Sequence, residues 1–156
     1  MEKTLAMKLL EGRKVEFDLY VYPETERDGE KIAAYLGVRG SDLYKTLVVV
    51  RPKGKPILFM LAAEKRLNLK KLAKAVGEKK LALATHADAE KMTGLKVGGI
   101  SPLALLNKGF AMYIDEAGKE CERVLISSGK KGINLGVPVK ELVKITGAKF
   151  VDAGDL

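Results

Sequence analysis

The run Tyr44-Lys45-Thr46-Leu47-Val48-Val49-Val50 constrains this chain more than any other segment. β-Branched side chains are stiff in a helix and pack well on a pleated surface, so the run predicts a buried strand. A second apolar run, Pro56 to Ala62, follows after Lys53-Gly54, and the two predict an antiparallel hairpin. Lys45 stands out at the mouth of the first run. A lysine there either snorkels to solvent or buries its stem and turns its ammonium into whatever pocket the strand borders.

Around this hairpin, turn and cap signals divide the rest of the chain. Lys3 to Glu11 predicts a helix, with Leu5 and Leu9 beside Ala6 and Leu10 on one side and Gly12 as the stop. Val15, Phe17, Leu19 and Val21 alternate as in a strand with one wet face. Asp28 is placed to cap a helix through Ile32, Ala33 and Leu36, ended by Gly37. Asn68 is placed likewise for Leu69 to Val76, ended by Gly77. Leu81 to Thr85 predicts a short strand, and Thr85 with Asp88 opens a helix to Met92. Ala111–Ile114 and Arg123–Ser127 flank the polar turn Glu116-Ala117-Gly118-Lys119, which predicts that they pair antiparallel. Pro138 suits the first turn of a helix to Thr146, with Gly147 as its end and Lys149 to Val151 as a last strand. Hairpins and scattered helices without a repeated βαβ pattern predict an α+β fold. Its sheet is expected to be mixed, mostly antiparallel and barrel-like, flanked by helices, in one domain spanning residues 1–156.

Composition narrows the class. At 47% hydrophobic and 31% charged, 156 residues suffice for a real core and do not resemble a disordered chain. No apolar stretch approaches the ~18 residues of a membrane span, and Met1-Glu2-Lys3-Thr4-Leu5 lacks a secretory layout. The single cysteine, Cys121, forms no internal disulfide, and the expected location is the cytoplasm. The formal net charge of +8 suits a polyanionic partner, nucleic acid above all, or a solvated lysine coat.

Chemistry-bearing residues are few. Cys121 lies between Glu120 and Glu122, whose charges raise a thiol pKa, so it makes a poor nucleophile. One cysteine and one histidine, His86, do not complete a zinc site, and no metal or cofactor is expected. His86 reads as a surface or capping residue. Gly98-Gly99-Ile100-Ser101-Pro102 is either a tight turn or a place where backbone N–H groups meet a ligand. Ser127-Ser128-Gly129-Lys130-Lys131-Gly132 lacks the Walker spacing and is either a basic turn between strands or an anion site. Leu69, Leu72, Ala73 and Val76 form an inward stripe, leaving Lys70, Lys71 and Lys74 outside as a solvated or phosphate-tracking face.

In chain order, Tyr44-Lys45-Thr46-Leu47-Val48-Val49, Leu67-Asn68-Leu69-Lys70-Lys71-Leu72-Ala73, Val97-Gly98-Gly99-Ile100-Ser101-Pro102-Leu103 and Ser127-Ser128-Gly129-Lys130-Lys131-Gly132 resemble one family. It is the YbaK/EbsC family of Cys-tRNA(Pro) deacylases, related to the editing domain inserted in bacterial prolyl-tRNA synthetases. The resemblance runs through to Lys144-Ile145-Thr146-Gly147-Ala148-Lys149-Phe150. It implies an enzyme that removes cysteine from mischarged proline tRNA in trans, using the substrate's own thiol and neither metal nor protein nucleophile. The implied partners are aminoacylated proline tRNA and prolyl-tRNA synthetase.

By position in the family pattern, Lys45 is the implied catalytic residue. Tyr22, Thr46, Gly98, Gly99, Ile100, Ser101, Ser127, Gly129 and Asn134 are the implied substrate contacts. Lys70, Lys71, Lys74, Lys130 and Lys131 are expected to meet the nucleic acid. Three departures are expected at the pocket: Ser128 where glycine is frequent, Asn134 where cysteine-specific relatives carry an acid, and Asp28 where an aromatic is expected. They leave open an alanyl-tRNA(Pro) deacylase using water, or a binding module without turnover.

Overall fold

The computed structural model describes residues 2–156. In chain order it begins with α1 (Leu5–Gly12), β1 (Asp18–Val21) and α2 (Gly29–Leu36). The central hairpin β2 (Tyr44–Val50) and β3 (Ile57–Ala62) follows, then β4 (Arg66–Leu67), α3 (Leu69–Val76), β5 (Ala82–Leu83) and α4 (His86–Thr93). After a long loop come β6 (Ala111–Asp115), a 3₁₀ turn over Glu116–Glu120, β7 (Arg123–Ser127), β8 (Ile133–Pro138), α5 (Val139–Thr146), β9 (Lys149–Val151) and β10 (Gly154–Asp155). The architecture is α+β, as the alternation of hairpins and short helices predicts.

Local chemistry explains most boundaries. The Asn68 side chain accepts from Lys71 N–H and the Thr85 hydroxyl from Asp88 N–H, so α3 and α4 begin where their caps stand. Asp28 occupies the cap position of α2 without a side-chain cap bond. The helix faces also follow their apolar spacing in α3, where Leu72 and Ala73 are buried.

β3 is the centre of the molecule, with all six residues buried. Leu58, Met60 and Ala62 join one core together with Ile126, Leu135 and Leu142; Ile57, Phe59 and Leu61 join another with Leu72 and Ala73 of α3. A five-stranded sheet runs β5-β2-β3-β6-β9, and a separate antiparallel sheet runs β1-β8-β7. β2 pairs antiparallel with β3, Lys45 facing Leu61 and Thr46 facing Met60. A parallel bridge between Leu43 and Leu125, with Leu125 N–H donating to Asp42 C=O at 2.8 Å, ties the two sheets where β2 begins.

Four expectations are corrected. β6 does not pair with β7; it runs parallel to β3 and β9, while β7 pairs with β8. The linear strand order leaves the sheets open, without closure into a barrel. Leu19 and Val21 of β1 are exposed, and Tyr20 and Tyr22 turn toward the core instead. Leu5 is exposed too, because Ala6, Met7 and Leu10 supply the buried face of α1.

A buried carboxylate helps to hold the C-terminal segment, beside the β4–β10 pairing and the Asn68 contacts. Asp115 accepts from Ala153 N–H at 3.2 Å and Gly154 N–H at 3.0 Å, and pairs with Lys65 at 3.1 Å. Replacing it strips acceptors from buried donors and leaves Lys65 unpaired. Asp115→Ala is therefore expected to lose about 3 kcal/mol of unfolding free energy in urea titration. A loss under about 0.5 kcal/mol, the usual effect of an ordinary surface substitution, would contradict this anchoring role.

Candidate active site

The seam between the two sheets opens into a cavity of about 240 Å³. Its floor comes from the start of β2, with Leu43, Tyr44, Lys45, Thr46 and Leu47; Ser127 and Asn134 come from facing positions of β7 and β8. Tyr22, just beyond β1, and Gly29 and Ile32 of α2 form one wall. Val97, Gly98 and Ile100 form another, and Arg27, Lys45 and His86 supply three basic side chains to a lining that has no carboxylate.

Each wall has a local cause. A Cβ on Gly29 would lie 2.9 Å from the Ala63 Cβ, so only glycine lets the first turn of α2 sit directly on the residue after β3. On the other side, Glu90 of α4 accepts from Val97 N–H at 2.8 Å and so fixes the entrance to the glycine turn. The hydrogen bond from Gly99 N–H to Lys96 C=O, 2.7 Å, closes that turn, and Gly98 takes a positive φ of 92°. The Ser127 hydroxyl donates to Gly98 C=O at 3.5 Å and accepts from Gly129 N–H at 3.2 Å, linking the two loops.

Electrostatically the cavity is basic. Lys45 is exposed and forms no ion pair among the described residues. Behind its lining, Thr46 Oγ1 and Tyr44 Oη are buried and have no hydrogen-bond partner among the described residues. Burial raises the Tyr22 hydroxyl above the usual tyrosine value, with the Gly132 backbone acting in the opposite sense. Burial likewise raises Tyr44 strongly, and the neighbouring Cys121, Asp115 and Asp42 add to it. Both tyrosines therefore stay protonated near neutral pH and act as neutral hydrogen-bonding groups.

Seven of the predicted site residues meet here: Tyr22, Lys45, Thr46, Gly98, Ile100, Ser127 and Asn134. Gly99 and Gly129 line a neighbouring cleft with Lys130 and Lys131. Gly99 N–H is already engaged within its turn, which removes it as a donor to a ligand in the cavity. Ser101 is fully buried, its hydroxyl accepting from Ala104 N–H at 3.3 Å, and it does not line the cavity. Lys70, Lys71 and Lys74 ride on α3, which packs on the core opposite the β7–β8 layer, and Lys71 pairs with Asp155 at 3.4 Å. Of the three departures only Asn134 lines the cavity; Ser128 is fully buried and Asp28 lies outside the lining.

Arg27 and His86 are additions that local sequence does not announce. His86 is indeed at a helix start, as its position after Thr85 predicts, but α4 delivers it to the cavity. Only a long-range packing signal would have found it.

Three comparisons bear on this arrangement. Residues 24–145 match the model of the aminoacyl-tRNA editing domain. The chain is 32% identical to the Enterococcus faecalis protein EbsC over 97% of this chain and 93% of that one, a candidate Cys-tRNA(Pro)/Cys-tRNA(Cys) deacylase by name. It superposes on the crystal structure of a candidate trans-editing enzyme for prolyl-tRNA synthetase with a TM-score of 0.82 and 26% identity, covering 100% of both chains. A proline–tRNA ligase of Thermodesulfovibrio yellowstonii is 31% identical over 53% of this chain, which is only 14% of the ligase.

Cys121 stands apart from the cavity lining. Its thiol approaches Ser41 C=O at 3.6 Å and Asp42 Oδ1 at 3.7 Å. Burial pushes the thiol pKa up and the Asp42 charge adds to it, so the expected direction holds but its sources are burial first and Asp42 second, not the flanking glutamates. The raised value leaves less thiolate at pH 8 than in an unperturbed cysteine with a pKa of about 8.5. Iodoacetamide labelling of Cys121 should therefore reach half its limiting rate above about pH 8.5. A midpoint below that value would overturn the assignment.

Proposed function

Since the chain belongs to the aminoacyl-tRNA editing domain family, we propose that it is a deacylase that removes cysteine from mischarged proline tRNA, acting in trans. The observation that carries this reading is the cavity itself: three basic side chains and a glycine turn, with no carboxylate in the lining. Such a lining suits an ester attached to a polyanion. Negative charge that develops on the ester oxygen meets cations and N–H donors held in place by the fold.

The reaction needs little from the protein. The substrate's cysteine sulfur attacks the ester carbonyl carbon, the C–S bond forms, and the C–O bond to the ribose breaks. The thiol proton passes to the ribose oxygen, giving a cyclic thiolactone and tRNA with a free hydroxyl. Held in an attack geometry, an intramolecular nucleophile reaches effective molarities on the order of 10⁵ M or more. In this reading the Lys45 ammonium stabilises the oxyanion and the leaving ribose oxygen. Gly98 and Ile100 present backbone N–H groups, while Tyr22, Thr46, Ser127 and Asn134 hold the aminoacyl group and ribose. Arg27 and His86 face the terminal nucleotide at the mouth.

The partner in this proposal is aminoacylated proline tRNA, with prolyl-tRNA synthetase as the enzyme whose errors it removes, and the cytoplasm is the place where both meet. Among the described residues no helix is long and apolar enough to cross a membrane.

Single-turnover deacylation of proline tRNA charged with cysteine or alanine tests the reading. Cysteinyl ester is expected to be cleaved well above the buffer rate, and Lys45→Ala to lower that rate about 10²-fold or more, the scale of losing one oxyanion-stabilising group. Faster cleavage of the alanyl ester would transfer the attack to water. A Lys45→Ala rate equal to wild type would remove Lys45 from the mechanism.

A further inference from the structure

The glycine turns wall a second space. Gly98 lines the cavity just described, whereas Gly99 and Gly129 line an adjoining cleft of about 370 Å³ with Lys96, Lys130, Lys131 and Glu24. The turns are in close apposition: a Cβ on Gly99 would lie 3.2 Å from Lys131 N and 3.3 Å from Gly129 C=O. The two spaces thus share the Gly98–Gly99 backbone as a common wall.

The backbone that carries two of these cations is fixed, while the Lys130 side chain itself is exposed. The turn carrying Lys130 is locked by the Ser128 hydroxyl, which accepts from Lys130 N–H at 3.2 Å and donates to Lys130 C=O at 3.3 Å. Lys131 is half-buried because its stem lies against Gly98, its Cγ 3.4 Å from where a Cβ would stand. Lys96 lies 4.0 Å from Glu90. The Glu90 carboxyl, lowered chiefly by Val97 N–H, also feels Lys96, Lys131 and Arg27, so the cleft and the cavity mouth share one basic field. Three lysines against Glu24 leave the lining positive.

We infer that this cleft is a phosphate subsite, which takes the sugar-phosphate backbone of the nucleotides leading into the terminal one whose ester occupies the first cavity. The inference rests on the proposed editing reading and adds to it the path of the RNA strand. A single strand is the form that fits, because a cleft one turn away from the ester is reached by the unpaired nucleotides next to it and not by a duplex. Ser127 then couples the two spaces: its hydroxyl touches Gly98 on the cavity side and Gly129 on the cleft side.

The test uses the full chain with Lys130→Ala/Lys131→Ala, a charge-keeping Lys130→Arg/Lys131→Arg pair, and Lys140→Ala on α5 as a control outside both spaces. Binding of an uncharged single-stranded RNA ending in CCA is followed by fluorescence anisotropy over a salt series. Each phosphate contact on a single strand adds about 0.7 to the slope of log K against log salt, so the alanine pair should lower it by about 1.4. The arginine pair and Lys140→Ala should keep the wild-type slope. On cysteinyl proline tRNA the alanine pair should raise KM about tenfold with kcat unchanged, as removal of uniform binding does. Wild-type slope and KM in the alanine pair would overturn the subsite, even if deacylation is brisk. RNA binding that depends on the two lysines, in a wild type that cleaves no aminoacyl ester, would keep the subsite and overturn the editing reading.

Discussion

Everything in this molecule is arranged around the double burial of β3. Leu58, Met60 and Ala62 leave one face of the strand and Ile57, Phe59 and Leu61 the other, and all are out of solvent. Burying a large apolar side chain contributes about 1.5–3 kcal/mol, so neither face tolerates being left uncovered. One side is covered by β7, β8 and α5, the other by α3. Because β2 is in register with β3 over most of its length, Lys45 and Thr46 inherit that rigidity. The candidate site is thus mounted on a strand paired directly with the fully buried one.

The seam between the sheets supplies what a rigid strand alone does not. The Leu43–Leu125 bridge brings β7 to the entrance of β2, which sets Ser127 and its neighbour Asn134 opposite Lys45 and Thr46 across one cavity. Its walls are made by close approach: Gly29 on Ala63, and Gly99 on the Gly129–Lys131 turn. In both places a side chain would push apart the elements that shape the cavity.

The electrostatic character follows from the same geometry. A buried hydroxyl without a partner costs about 1–3 kcal/mol, and Thr46 Oγ1 is left in that condition beside an unpaired lysine. The carboxylates nearby are spent elsewhere. Asp115 holds the C-terminal strand and Lys65, Glu90 holds Val97, and Asp42 pairs with Arg39. The molecule's basic excess is therefore locally undiluted at the cavity, where no acid reaches the lining.

Local sequence by itself determined the helices and the hairpin, because caps, stops and β-branched runs act within a few residues. Asn68, Thr85 and the run from Tyr44 to Val50 all stand where their chemistry predicts. It also marked Lys45, Ser127 and the Gly98 turn as residues out of character with plain packing. Strand partnership was decided only in three dimensions: β6 lies between β3 and β9 with Met112 and Ile114 in one core and Ala111 and Tyr113 packed against the other. Alternation misled at Leu19 and Val21, since period two says which residues share a face but not which face is covered. Ser101 and Gly99 likewise belong to the right segment yet spend their groups internally. The delivery of Arg27 and His86 to the cavity was a tertiary decision, made by the packing of α2 and α4 and carrying no local signature.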